Sequence, residues 1–225
     1  MTLLAVVPTQ RELDLFHAAL REVSARAMPD TIGVLPVTRF PELGLVTALG
    51  GLGKAQFAVH THHLTEHGDW ELVVCAGAAG ALADDVRVGD VVIATETVEH
   101  DINNRFGPPR IPRFAVAEPV LARCRAAMGS DTGFAVLFAP VASGDEDVMD
   151  EARRADVRAR TGAVAVAWEG AGGARGCALR SVPFVEIRGI SDGADSSAHN
   201  DYAANLPLVM RHVAAVVIAL AGDGE

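Results

Sequence analysis

Cysteine is scarce in this chain of 225 residues, which contains only Cys75, Cys124 and Cys177. Three cysteines that lie so far apart in the sequence exclude a disulfide framework, and none belongs to a CxxC pair that would bind a metal. Sparse, unpaired cysteines are typical of a reducing compartment. We therefore expect a cytoplasmic protein.

Basic residues are also in the minority, with 19 Lys and Arg against 29 Asp and Glu and a net charge of -10. A negative surface repels the phosphates of nucleic acids and of anionic lipids. The composition therefore predicts neither a nucleic-acid partner nor a membrane partner.

Long uninterrupted hydrophobic runs are absent as well. The opening run Leu3–Val7 is too short for a signal peptide and lacks a basic leader. The apolar stretch from Leu206 to Leu220 is interrupted by Arg211 and His212. It predicts a helix that faces the protein core and is too short and too charged to span a bilayer.

Hydrophobic residues make up 50% of the chain, enough to bury the core of a single domain over residues 1–225. Short apolar runs alternate with helical patterns, which predicts an α/β fold with helices on both faces of a sheet. We expect strands near residues 3–7, 45–49, 71–76, 90–98, 134–141, 163–168 and 183–190. We expect helices near residues 10–25, 53–67, 117–128, 149–160, 170–180 and 201–221.

The most informative stretch runs from Pro183 to Asp195, where an apolar strand ends in Ser191 and Asp192 and then a glycine. Ligands of open α/β sheets bind beyond the carboxyl ends of the strands. An Asp that is half-buried there has a raised pKa and can act as an acid. The alternative is that Ser191 or Asp192 only caps a turn.

Four glycine-bearing turns are expected after strands, where backbone can approach a small ligand closely. The turns lie at Gly50–Lys54, Gly77–Gly80, Ser143–Asp145 and Glu169–Gly170. The first fails the phosphate-loop pattern, because Ala48 and Ala55 stand where glycine and Ser or Thr are required. The second lacks the GxGxxG pattern, so it only weakly indicates a dinucleotide-binding site.

Three carboxylates, Glu12, Glu169 and Asp192, are expected at or near strand ends. Glu12 and Glu169 also fall in the first turn of a predicted helix, where the helix dipole alone would favour a negative charge. The histidines His60, His62, His63 and His67 have helical spacings that could chelate zinc, but no third ligand type accompanies them. We therefore expect a solvated helix face there and neither a metal nor a cofactor.

A proline-rich segment, Phe106–Arg113, predicts a loop, because proline cannot donate the hydrogen bonds of a sheet. A loop of this length in a compact domain often serves as a lid or contacts a partner subunit.

Taken together, the motifs resemble the nucleoside phosphorylase and nucleosidase superfamily, and most closely its 5′-methylthioadenosine/S-adenosylhomocysteine nucleosidases. The resemblance runs nearly from end to end. It depends chiefly on the segments 182–195 and 143–145. Supporting segments are 51–55, 76–81, 88–93 and the pair His100-Asp101.

The resemblance implies an α/β fold with a mixed, partly barrel-like sheet flanked by helices, usually in dimers, and a small nucleoside as substrate. It implies that Asp192 protonates the leaving purine and that Glu12 activates water. Glycoside hydrolases likewise use one carboxyl group as an acid and another to activate water. Glu169 would bind the ribose hydroxyls, with support from Arg188 and Ser191. The other substrate-binding positions that it implies are Trp168, Ala78, Gly80, Asp147, Val148 and Arg105.

Several positions depart from the pattern of the resembling family. Asp147 stands where an aromatic ring usually stacks on adenine, Ala78 replaces a serine, and Trp168 replaces a methionine. The segment that would reach a neighbouring subunit's site contains Asn103, Asn104 and Arg105, which favours a polar 5′ substituent. The sequence therefore predicts the reaction type more firmly than the substrate.

Three alternatives remain open at this stage. A phosphorylase could use Arg11 and Lys54 as phosphate contacts, although Cys75 stands where phosphorolytic relatives carry a phosphate-binding Arg. A futalosine hydrolase-like enzyme is a second alternative, but the Asn typical of that group is replaced by Asp192. A non-catalytic nucleoside-binding protein is the third, since function does not follow from fold alone.

Overall fold

The computed structural model describes residues 2–23, 26–107, 110–129 and 132–222. In these residues, ten strands and six α-helices alternate along the chain. The strands are β1 Leu3–Val7, β2 Met28–Ile32, β3 Leu35–Phe40, β4 Leu45–Leu49, β5 Leu72–Ala81, β6 Val91–Glu99, β7 Arg113–Ala115, β8 Val136–Ser143, β9 Ala165–Ala167 and β10 Phe184–Asp192. The helices are α1 Gln10–Glu22, α2 Gly53–Glu66, α3 Glu118–Ala127, α4 Glu151–Thr161, α5 Gly170–Ala178 and α6 Ala198–Gly222, and a 3₁₀ turn spans Pro41–Leu43.

Five strands close into a barrel-like ring. β5 pairs in parallel with β10 and antiparallel with β9. β6 pairs antiparallel with β10 and in parallel with β8, and β8 pairs in parallel with β9. The ring confirms the expected mixed, partly barrel-like sheet. It also brings β9 and the end of β10 to the carboxyl end of β5, where both pair with Gly80.

The sheet continues outward from β5 through β1, β4, β3 and β2. The hairpin of β2 and β3 was not predicted, because Pro29 and Pro36 interrupt its short strands. Proline is tolerated here because β2 is an edge strand that needs to donate few ladder hydrogen bonds. Gly33, with a φ of +59°, makes the tight turn between the two strands.

The predicted turn at Gly77–Gly80 is wrong, because these residues continue β5 as a strand up to Ala81. Glycine is required at these positions because side chains of β10 approach the β5 backbone closely. A Cβ atom on Gly77 would lie 2.7 Å from Nη1 of Arg188, and one on Gly80 would lie 2.8 Å from Oδ1 of Asp192. β5 therefore runs directly beneath the buried polar groups of β10.

Each of the seven predicted strands and six predicted helices is present; β1 and β4 have the predicted bounds, and the other elements have shifted ends. The predicted loop at Phe106–Arg113 is followed by the short strand β7, which begins at Arg113, and Pro108 and Pro109 lie outside the described residues. β7 pairs with the outer part of β6. Both ends of the loop therefore lie near the same end of the ring.

The helix α6 is longer than predicted, with 25 residues, and an 18-residue window in it has a mean hydropathy of 1.7, so its length and composition alone would permit a membrane span. Its apolar residues, among them Leu206, Val209 and Val213, belong to the main core cluster together with residues of α1, β5 and β10. A helix with this packing stabilises the interior of the folded domain. This position agrees with the predicted core-facing helix.

Candidate active site

A cavity of about 510 Å³ opens where the carboxyl ends of β1, β9 and β10 meet β5. Ten of the eleven predicted site residues line it: Glu12, Ala78, Gly80, Asp147, Val148, Trp168, Glu169, Arg188, Ser191 and Asp192. They come from segments that lie far apart in the sequence. The cavity also includes residues that were not predicted as substrate contacts: Pro8, Thr9, Arg11, Leu52, Ala79, Glu146, Met149, Val166, Ala167, Ala194, Ala198, His199, Tyr202 and Ala203.

Glu12 is buried and belongs to both the helix terminus and the cavity. Thr9 is the N-cap of α1, and a capping box joins the two residues. Oε2 of Glu12 accepts hydrogen bonds from the Thr9 hydroxyl at 2.7 Å and the Thr9 amide at 3.1 Å. Oε1 accepts a third from the amide of Ala78 at 2.8 Å. The carboxylate is therefore held as an acceptor facing β5, so the capping and catalytic interpretations are compatible.

Arg188 is the fully buried cation beneath the cavity. Its Nη2 lies 3.0 Å from Oε2 of Glu169, and its Nε lies 2.8 Å from Oε1 of Glu186. Nη1 donates to the carbonyl oxygen of Ala78 at 3.2 Å. Thr97 donates to the other oxygen of Glu186 at 2.7 Å, so this carboxylate is also satisfied. Paired and hydrogen-bonded charges of this kind can stay buried.

Glu169 stands at the N-cap position of α5, and its side chain turns into the cavity and does not cap the helix. Besides its ion pair with Arg188, it accepts a hydrogen bond from the amide of Gly53 at 3.3 Å. Burial raises the pKa of Glu169, Arg188 opposes that shift, and Glu12 adds to it. The proximity of Glu12 and Glu169 gives this part of the cavity two acceptors for hydroxyl groups.

Asp192 ends β10 and has fewer donors than Glu12. Its Oδ2 accepts from the Ser191 hydroxyl at 2.7 Å, and its Oδ1 accepts from the amide of Ala194 at 2.9 Å. Burial raises the pKa of Asp192, although both hydrogen bonds oppose the shift. The side amide of Asn205 donates to the Ser191 carbonyl at 2.9 Å and fixes the strand end to α6. Asp192 therefore caps the turn that leads to Ala194 and also lines the cavity, so the two interpretations are compatible.

Three residues at which the sequence departs from the resembling family, Ala78, Asp147 and Trp168, lie on the cavity wall. Trp168 is partly exposed, and its carbonyl accepts a hydrogen bond from Ser143 at 2.7 Å. Val148 is buried, whereas the neighbouring Asp147 is exposed at the rim. The wall at this point therefore offers an indole and an aliphatic surface, with a carboxylate at its edge.

Arg105 is the predicted site residue that does not line the cavity of its own chain. It is exposed in the segment after β6, next to Phe106, whose side chain is fully exposed. The predicted role of Arg105 concerns the site of a neighbouring subunit, and it stays a prediction.

Lys54 lies outside the cavity and is already neutralised. Its ammonium group contacts Asp101 and lies 3.5 Å from Oε1 of Glu99 and 3.8 Å from Oδ2 of Asp145. Three carboxylates around one cation disfavour an additional phosphate group. Within the described ranges, no group of three His, Cys, Asp or Glu residues is arranged to hold a metal ion.

Some of these residues could not be found by reading the sequence. The capping box Thr9-x-x-Glu12 carries a recognisable signal, whereas Tyr202 and His199 lie in a helical pattern that predicts only a core-facing helix. The partner of Glu186 across the ring, Thr97, lies 89 residues away in the sequence, so their hydrogen bond follows only from the closure of the ring.

Comparisons with known proteins identify the family of this chain. A family model described as "Phosphorylase superfamily" matches residues 4–221. The 5′-methylthioadenosine/S-adenosylhomocysteine nucleosidase of Glaesserella parasuis serovar 5 is 34% identical over 177 residues, which cover 76% of this chain and 77% of that protein.

Solved structures show the same fold. The crystal structure of the 5′-methylthioadenosine/S-adenosylhomocysteine nucleosidase from Neisseria meningitidis in complex with methylthio-immucillin-A superimposes with a TM-score of 0.85 at 30% identity, covering 97% of each chain. The futalosine hydrolase of Helicobacter pylori gives a TM-score of 0.85 at 21% identity, covering 98% of this chain and 97% of that chain, and supports the fold alone. The chain belongs to the phosphorylase superfamily.

Proposed function

We propose that this protein is a purine nucleosidase, which hydrolyses the N-glycosidic bond of an adenosine-type nucleoside to the free base and a ribose derivative. The observation that carries the proposal is the contrast between two carboxyl groups in one cavity. Glu12 accepts three hydrogen bonds, whereas burial raises the pKa of Asp192. Such a pair can supply one base and one acid to a single reaction.

Asp192 is the general acid of the proposed reaction. Its proton passes to a ring nitrogen of the purine while the bond between the base and the anomeric carbon breaks. The bonding electrons leave with the base, and positive charge develops on the ribose ring. Ser191 and Ala194 hold the two carboxyl oxygens, so the group is oriented before the substrate binds.

Glu12 is the general base. It accepts a proton from a water molecule as the water oxygen forms its bond to the anomeric carbon. The amide of Ala78 and the side chain of Thr9 fix the carboxylate in this position. A negative group next to the developing positive charge also stabilises the transition state electrostatically.

Glu169 accepts hydrogen bonds from the ribose hydroxyls in the proposed complex. Arg188 holds Glu169 from below at 3.0 Å and contributes no contact of its own to the reacting atoms. Trp168 and Val148 provide the apolar wall. The close approach of Gly80 to Asp192 leaves room for the acid to face the base.

Hydrolysis and phosphorolysis are separated by measuring base release from 5′-methylthioadenosine, S-adenosylhomocysteine and adenosine with and without inorganic phosphate. We expect release without phosphate and free ribose derivatives as products. Strict phosphate dependence with a ribose 1-phosphate product would establish the phosphorylase. A parallel assay with futalosine tests the futalosine hydrolase-like alternative. Binding of a nucleoside without any base release would indicate a non-catalytic protein.

We further propose a cytoplasmic homodimer in which Arg105 of one subunit borders the neighbouring subunit's cavity. Phe106 and Ile102 in the same segment are apolar and exposed, which supports a surface that a second subunit covers. Arg105→Ala should lower kcat/KM for S-adenosylhomocysteine relative to 5′-methylthioadenosine, with light scattering to measure the oligomeric state. A monomer in solution, or equal effects on both substrates, would contradict this assignment.

A further inference from the structure

One rim of the cavity carries a cation that the proposed reaction does not use. Arg11 lies in the first turn of α1, directly beside Glu12, and its exposed side chain lines the cavity. Its Nη2 donates to the carbonyl oxygen of Ala203 on α6 at 3.2 Å. Within the described part of the chain, Arg11 forms no ion pair, whereas the other cavity arginine, Arg188, has two carboxylate partners.

The position of Arg11 is not explained by helix stability. The N-terminus of a helix carries partial positive charge, so a cation in the first turn is disfavoured there. Its single hydrogen bond to Ala203 uses one of the five N–H donors of the guanidinium. The remaining donors are free to bind an anion bidentately.

The neighbours of Arg11 place this rim on the sugar side of the cavity. Arg11 directly precedes Glu12 in α1, and its hydrogen bond to the Ala203 carbonyl places it against the segment of α6 that holds Tyr202, which also lines the cavity. With the base at Asp192 and the ribose at Glu12, the 5′ substituent extends toward Arg11 and Tyr202.

We infer that Arg11 is a specificity-determining residue that binds a carboxylate on the 5′ substituent of the nucleoside. The inference depends on the proposed function only for the orientation of the substrate. The neutral phenol of Tyr202 can donate a further hydrogen bond to the same group. Asp147, which also lines the cavity, carries a negative charge that would repel a carboxylate, whereas Arg11 would attract it.

The test compares S-adenosylhomocysteine with its decarboxylated analogue, S-adenosyl-3-thiopropylamine, which differs only in lacking the carboxylate. In Arg11→Gln, the amide can still donate to the Ala203 carbonyl, but the charge is removed. We expect the ratio of kcat/KM for the two substrates to fall about tenfold, mainly through KM. Arg21→Ala, on the last turn of the same helix, is the matched control and should retain the wild-type ratio.

The same comparison can be made without turnover. Calorimetric binding of both ligands to Asp192→Asn and to Asp192→Asn/Arg11→Gln should show the same loss of selectivity. An unchanged ratio in both assays would overturn the inference, even if the enzyme hydrolyses both substrates. Phosphate-dependent base release that Arg11→Gln abolishes would overturn it differently, because Arg11 would then bind phosphate. Absence of any base release, with selective binding retained, would contradict the proposed reaction and leave Arg11 as a carboxylate contact.

Discussion

The two ends of the cavity surround a carboxyl group with different numbers of hydrogen-bond donors. Glu12, at the start of α1, accepts three hydrogen bonds, two of them from backbone amides. Asp192, at the end of β10, accepts two, and burial raises its pKa. Donors favour an ionised carboxylate, whereas a dry environment with few donors favours a protonated one. In the proposed mechanism, this difference in hydrogen-bond donors matches the role of base for Glu12 and of acid for Asp192.

The largest expected effect comes from removing the acid. In Asp192→Asn, the side-chain oxygen can still accept from the Ala194 amide while the NH2 group faces the Ser191 hydroxyl, but the amide cannot deliver a proton, so kcat for 5′-methylthioadenosine should fall by about 10²–10⁴-fold. Binding of the substrate, measured by calorimetry, should change little. Asp195→Asn, three residues further along and outside the cavity lining, is the control and should retain activity. Near-normal turnover of Asp192→Asn would contradict the role of Asp192.

A smaller effect is expected at the other end of the cavity from Thr9→Ala. This change removes the N-cap of α1 and the shorter of the two hydrogen bonds from Thr9 to Glu12. The free energy of unfolding should fall by about 1 kcal/mol, as is typical for loss of an N-cap. The value of kcat should fall as well, because Glu12 loses a fixed orientation. Denaturant unfolding and steady-state kinetics measure the two effects, and a loss of stability without any change in kcat would separate the cap from the catalytic base.

Ser191→Ala makes the matching change beside the acid. The Ser191 hydroxyl lowers the pKa of Asp192, so its removal should raise that pKa further. The rate depends on protonated Asp192, and therefore the alkaline limb of the profile of kcat against pH should move to higher pH. A shift to lower pH, or no shift in a folded variant, would show that Asp192 does not govern this limb.

The smallest effect concerns stability. A folded-state pKa above the unfolded value of about 3.9 means that the unfolded chain loses the Asp192 proton first as the pH rises. Stability is therefore full below that unfolded value and is lost as the pH rises through the folded pKa. Asp192→Asn should raise Tm relative to the wild type at neutral pH and lose this advantage at pH values below about 4. Calorimetric unfolding across this range checks the sign.

The sequence supported more of the fold than of the cavity's rim. The strand before Asp192 and the helix after Glu12 have strong local patterns, and both carboxylates lie where those patterns predicted them. Gly77 and Gly80 indicated a turn, because glycine alone does not reveal whether it bends the chain or makes room for a neighbour. That neighbour, the side chain of Arg188 above Gly77, comes from a strand more than a hundred residues away.

The rim residues illustrate the same limit. Tyr202 lies in an apolar helical pattern, and only the packing of α6 against α1 brings it to the same cavity as Arg11 and Glu12. The hairpin of β2 and β3 was missed because its prolines match an edge strand as well as a loop. Local patterns therefore predicted elements and single carboxylates, whereas the contacts between distant segments required the folded chain.

The central claim, that Asp192 serves the leaving base and Glu12 serves the water, is tested most directly by changing the leaving group. In the p-nitrophenyl glycoside of the same ribose derivative, the leaving group is p-nitrophenolate, which departs without protonation. The account predicts that Asp192→Asn loses hydrolysis of 5′-methylthioadenosine but retains most of its activity on the p-nitrophenyl substrate, whereas Glu12→Gln loses both. Equal losses on the two substrates for Asp192→Asn would contradict the assignment of Asp192 as the acid.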